Sequence, residues 1–123
     1  MSTSPAELLA EAQRLLTSRA DDLRGTWPRA VALLTRQALE QTLDDLWRWK
    51  APGTQLASRR AQLLCLGPYI GDEALAQEVR YAWAALSRAC HHHPYEVGVG
   101  TEELEGLSQT ATRLSHALHR LPS

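Results

Sequence analysis

Residues 26–50 read TWPRAVALLTRQALEQTLDDLWRWK. Trp27, Val31, Leu34, Ala38, Leu39, Leu43, Leu46 and Trp47 recur there at steps of three and four. At about 100° per residue these positions sweep a wide arc, not a single stripe, which predicts a central helix with neighbours on several sides. Thr26 starts it, Pro28 is tolerated in its first turn, and Ala51-Pro52-Gly53 stops it.

The flanking segments follow the same logic. Upstream, Ser4-Pro5-Ala6-Glu7 is a capping box with Pro at the first helical position. Leu8, Ala12, Leu15, Leu16 and Leu23 then predict a helix ending near Arg24-Gly25. Downstream, a third helix is expected from about Thr54, carrying Leu56, Leu63, Leu64 and Cys65. Gly67-Pro68 is expected to break it, and Tyr69-Ile70-Gly71 to be a connector. Asp72 is suited to N-cap a fourth helix with the stripe Leu75, Val79, Ala82, Trp83, Leu86 and Cys90. Pro94 disfavours helical geometry at His93, so that helix should end within Cys90–His93. A fifth helix opens at Thr101-Glu102-Glu103, with carboxylates at the positive end of its dipole. Its seam, Leu104, Leu107, Ala111, Leu114, Leu118 and Leu121, should lie against the second or fourth helix at a shallow angle. The expected fold is all-α, an antiparallel bundle of about five helices, in a single domain over residues 1–123 with an ordered core from about 5 to 121.

Composition agrees. The chain has 123 residues, 21 Leu and 18 Ala, but only five Val and Ile together and no Phe. A sheet built almost without β-branched residues would be unusual. The net charge of -1 excludes a strongly basic nucleic-acid coat protein, although a local basic patch remains compatible with it. Cations are 12 Arg against one Lys, a supply of forked donors suited to phosphate. No signal peptide and no membrane span are visible, and two cysteines make no disulfide framework. The expectation is a cytoplasmic protein with Cys65 and Cys90 reduced and buried.

Chemistry is concentrated in Ser87-Arg88-Ala89-Cys90-His91-His92-His93-Pro94-Tyr95-Glu96, which is rich in groups that titrate near neutral pH or bind anions. On an ideal helix Arg88 and His93 stand about 140° apart and roughly 7.5 Å along the axis. They meet only if Pro94 ends the helix early, or if two chains share one cleft.

Arg88, four intervening residues, His93, one more residue and Tyr95 resemble the R-x4-H-x-Y motif of HEPN domains, small helical bundles named for nucleotide binding in higher eukaryotes and prokaryotes. There too the motif lies late in the chain, at the end of a long helix. Residues 31–40 loosely resemble the early amphipathic helix of that family. The resemblance implies a homodimer in which Arg and His of both chains line a cleft, with metal-independent ribonuclease activity of the toxin type. It also implies RNA as substrate, a nucleotidyltransferase-type antitoxin as partner, and no cofactor. Arg88 would hold the scissile phosphate and His93 would serve as general acid or base, both catalytic. His91, His92 and Tyr95 would stand beside them as ligand-binding residues. Ala89 departs from the polar residue common after the Arg in active members. The alternative is therefore a catalytically silent module that binds nucleotide or protein.

Plainer readings exist for each residue. Arg and His at a helix C-terminus complement the dipole without further purpose. A metal site at the histidine triplet, extended by His116 and His119, is disfavoured because adjacent helical residues diverge by about 100° and no carboxylate ligand motif accompanies them. His116 and His119 are expected at the surface. Arg36, Arg59, Arg60 and Arg80 extend a phosphate-binding surface or are simply solvated. The tryptophans are expected mostly in the core, with Trp49 exposed or in an interface.

Overall fold

The computed structural model describes residues 3–18, 27–90 and 100–121. Among them are six α-helices and no strand: α1 Pro5–Thr17, α2 Trp27–Lys50, α3 Arg59–Leu64, α4 Leu66–Ile70, α5 Glu73–Cys90 and α6 Thr101–Arg120, with a 3-10 turn at Thr54–Leu56. The chain is an all-α bundle, and none of these helices is long and apolar enough to cross a membrane.

α2 is the central helix. It packs against α1, α5 and α6. Val31, Ala38, Leu39, Leu43, Leu46 and Trp47 are buried along it. The buried arc also takes in Thr35 and Thr42, which a purely apolar reading omits. Thr42 is accommodated because its hydroxyl donates to the Ala38 carbonyl at 2.8 Å, leaving its methyl to face the core.

α1 opens on the capping box: the Glu7 N–H donates to Ser4 Oγ at 3.1 Å, and the Glu7 carboxylate accepts from the Ser4 backbone. Such a cap is worth about 1 kcal/mol. The helix ends at Thr17, short of the expected Arg24-Gly25. At that end the hydroxyls of Thr17 and Ser18 bond Gln13 O and Arg14 O at 2.9 Å. Leu23 lies outside the described residues.

The expected third helix is corrected. It is a 3-10 turn followed by two short helices that meet at Cys65. Ser58 caps α3, its Oγ accepting from the Ala61 N–H, and this restart breaks the phase that would have aligned Leu56 with Leu63. Leu56 and Leu64 are consequently exposed, as is Cys65, against the expectation of a buried thiol. The helix carrying Leu63 and Leu64 does stop ahead of Gly67-Pro68, since Pro68 has no N–H to offer the Leu64 carbonyl, but the pair itself lies in the first turn of α4 instead of in a loop. Gly71, at φ 68°, is the residue that ends the helix. A Cβ at Gly67 would meet the tip of the Glu73 side chain, which is exposed and free to move aside. The buried Gln62 side chain fixes the preceding loop by donating to Thr54 O at 2.7 Å and Ala57 O at 3.2 Å.

α5 begins as expected, with Asp72 accepting from the Leu75 N–H at 3.0 Å. Its whole predicted stripe except Trp83 is buried. α6 runs antiparallel to it, because Tyr81 of α5 meets Glu103 near the start of α6 while Glu78 meets Arg113 further along. The α6 seam is buried through Leu114 and then passes to Ala117, leaving Leu118 half-buried. α6 packs on both expected partners and also on α1.

Candidate functional site

The expected site centres on the end of α5. Arg88 lies in its last turn and is exposed. No carboxylate among the described residues forms an ion pair with it. His91, His92, His93 and Tyr95 lie outside the described residues.

The surroundings of Arg88 are unequal on its two sides. Towards α6, the Tyr81 hydroxyl donates to the Glu103 carboxylate at 2.7 Å. That carboxylate holds the phenol above its ordinary value, while Arg88, two turns along the same helix face, pulls it the other way. Ultraviolet titration should therefore show the Tyr81 pKa falling towards the ordinary ~10 in Glu103→Gln and rising further in Arg88→Ala. An unchanged titration in both variants would contradict this arrangement. The groove between α5 and α6 has a volume of about 600 Å³ and is lined by Glu78, Glu103, Tyr81 and Arg113 among others. Arg113 is paired with Glu78, which leaves the Glu103 carboxylate as the excess charge of this lining.

Towards α2 and α3 the surface is cationic. The Arg36 guanidinium stacks on Trp83 at 4.4 Å, and that of Arg59 stands 5.2 Å from the same ring. Arg36 Nε also donates to Ser87 Oγ at 3.3 Å. Arg59 is held by Asp44 at 3.0 Å, and Arg80 bonds Glu73 at 2.5 Å and the Leu63 carbonyl at 3.0 Å. Arg60 is exposed and makes no ion pair among the described residues. A shallow groove of about 230 Å³ lies between Arg60, Leu63 and Leu64 of α3 and Arg80, Trp83 and Ala84 of α5. The sequence had Trp83 in the core stripe; it is instead half-buried beneath two guanidinium groups. Trp27 is likewise half-buried, Trp47 is fully buried and Trp49 is exposed, as anticipated for Trp49.

Cys90 is buried, and that burial pushes its thiol up, with Arg36 and then Arg29 opposing. The thiol stays protonated at neutral pH, which removes it as a nucleophile. Both cysteines are unpaired. His116 and His119 are exposed on α6, and no group of three metal-ligating side chains occurs among the described residues. Sequence reasoning did not single out Arg29 or Tyr81 and gave Glu103 only a place at the start of a helix; the relation of Arg29 to Cys90 and of Glu103 to Tyr81 arises only when α2, α5 and α6 are packed.

No family model matches the chain, and no curated protein or solved structure is significantly similar to it.

Proposed function

We propose that the chain is a HEPN-like, metal-independent endoribonuclease of the toxin type, acting as a homodimer through Arg88 and His93. The single observation that supports this most is the state of Arg88. It is an exposed guanidinium in the last turn of α5, uncommitted to any carboxylate among the described residues, five positions before His93. Arg36, Arg59, Arg80 and Arg113 all have acidic partners.

In the proposed reaction His93 takes the proton of an RNA 2′-hydroxyl, and that oxygen attacks the adjacent phosphorus. The bond to the 5′-oxygen breaks, the leaving oxygen accepts a proton from the histidine of the second chain, and a 2′,3′-cyclic phosphate forms. The nucleophile belongs to the substrate, so no protein nucleophile is needed. Arg88 offers two parallel N–H donors to the phosphate oxygens as charge develops on them. A histidine has its ordinary pKa near neutral pH, which lets one copy act as base and the other as acid. Tyr95, the end of the motif, would be the point of control by a nucleotidyltransferase-type antitoxin.

Ala89 favours the second reading, a catalytically silent nucleotide- or protein-binding module. It is half-buried against the core, so the position carries packing instead of a polar group beside Arg88.

The test is cleavage of a mixed-sequence RNA by purified protein with a chelator present throughout, for the native chain and His93→Ala, together with the mass in solution. Cleavage by the native dimer and none by His93→Ala is the expected result. Equal cleavage by both would eliminate the mechanism, a monomer at micromolar concentration would eliminate the shared cleft, and no cleavage by either would favour the silent module.

A further inference from the structure

We infer that the groove between α3 and α5 is a base-binding subsite for single-stranded RNA, one helical turn from Arg88. The inference rests on the RNA-directed reading above and adds to it a place where the strand is held.

Arg80, Ala84 and Arg88 are four residues apart on α5 and form one stripe. Arg80 and Ala84 line the groove. Arg88 stands about 6 Å along the axis and about 40° round it from Ala84, and about 12 Å and 80° from Arg80. A strand with its phosphate at Arg88 reaches the groove by crossing α5 obliquely.

The groove has the two properties single-strand binding uses, an apolar platform and cations beside it. Leu63, Leu64, Trp83 and Ala84 line it; the Trp83 ring already carries Arg36 and Arg59, so the open apolar surface is that of Ala84 and of Leu64, which is 68% exposed. Its volume of about 230 Å³ accommodates a planar base and is below the ~300 Å³ at which drug-sized pockets begin. Arg60 stands at its rim, exposed and without an ion pair among the described residues. The charge of this face, set against the acidic α5–α6 groove on the other side of Arg88, argues for an anionic occupant. Around Trp83 the cations Arg36, Arg59, Arg60 and Arg80 face, among the described residues, only Glu40, Asp44 and Glu73. Exposed leucine beside an unpaired guanidinium suits a ligand with a flat apolar face and a phosphate on the same unit.

The test uses a fluorescein-labelled twelve-nucleotide (roughly one single-strand site) oligouridylate whose 2′-oxygens are methylated. It cannot be cut by 2′-attack, so binding is read apart from cleavage. Fluorescence anisotropy across a salt series is measured for the native chain, Arg60→Ala, Leu64→Ser, Glu73→Gln and Arg120→Ala. Arg60→Ala is expected to weaken binding about fivefold and to reduce the salt slope by about 0.7, one phosphate's worth. Leu64→Ser should weaken it about threefold with an unchanged slope, since it removes platform and no charge. Glu73→Gln releases Arg80 and should tighten binding about two- to fivefold, a gain that misfolding cannot imitate. Arg120→Ala, the same charge change at the far end of α6, should leave binding unaltered.

Absence of saturable binding by the native chain would overturn the inference. So would equal losses in Arg60→Ala and Arg120→Ala, which would mean diffuse charge and no subsite. Saturable, Arg60-dependent binding of poly-glutamate without binding of the oligonucleotide would replace the strand with an acidic protein partner. Cleavage of ordinary RNA with undiminished oligonucleotide binding by Arg60→Ala and Leu64→Ser would remove the subsite and leave the Arg88–His93 chemistry intact. The expected binding pattern without cleavage of ordinary RNA would do the reverse.

Discussion

On the proposed ribonuclease reading, Arg88→Ala is expected to lower the single-turnover rate of RNA cleavage by a factor of about 10² to 10³. Its melting transition should move by less than the equivalent of about 0.5 kcal/mol. The two halves of this prediction come from the same fact. Arg88 is exposed in the last turn of α5 and has no ion pair among the described residues, so the fold loses little beyond one favourable charge at a helix C-terminus. The proposed reaction would lose the donor pair that Arg88 is to present to the phosphate. Arg88→Lys tests that geometry specifically. It keeps the charge and discards the planar fork, so an intermediate rate is expected if bidentate contact matters and a near-native one if only charge does. A native rate in Arg88→Ala would remove Arg88 from the mechanism.

The largest effect on stability is expected at Trp47. The side chain is 0% exposed, on the face of α2 directed inward, and its ring meets Tyr69 edge-on with centroids 5.1 Å apart. It thereby joins the central helix to α4. Trp47→Ala should cost about 3–5 kcal/mol, a large part of the ~5–15 kcal/mol total of a domain this size. Trp49→Ala, two positions away but 42% exposed, should cost no more than about 0.5 kcal/mol. Trp47→Phe is a sharper variant. The indole N–H is buried with no acceptor among the described residues, and such an orphan costs about 1–3 kcal/mol, so removing it offsets part of the lost volume. Urea denaturation of the three variants decides the matter, and a Trp47→Phe cost equal to that of Trp47→Ala would show that the orphan donor does not matter.

Several elements of the fold were legible in the sequence because their causes are local. The capping box at Ser4–Glu7, the Asp72 cap and the stop at Ala51-Pro52-Gly53 each depend on atoms within four residues of one another. The wide apolar arc of α2 was legible as well, and it correctly implied neighbours on several sides. The segment from Thr54 to Gly71 was misread for an instructive reason. Ser58 caps a new helix directly after the 3-10 turn, so the register a continuous helix would have kept between Leu56 and Leu63 is lost. Apolar spacing alone does not register such a restart.

The candidate site divides in the same way. That Arg88 falls in the last turn of a helix and faces outward follows from the Leu75–Cys90 stripe alone, because periodicity states which side of a helix is wet. That Arg36, Arg59, Arg60 and Arg80 gather around one tryptophan does not follow from any spacing. Those residues belong to three helices, and each taken alone reads as a solvated position. Their convergence depends on the rotation of α2 and α5 about their axes and on where α3 restarts, and both are set by how the core leucines and Trp47 pack. The sequence by itself therefore determined an all-helical chain and its outward-facing Arg88. Only the tertiary structure decided which side of Arg88 is cationic, because charge at a surface is the sum of helices brought together by burial elsewhere.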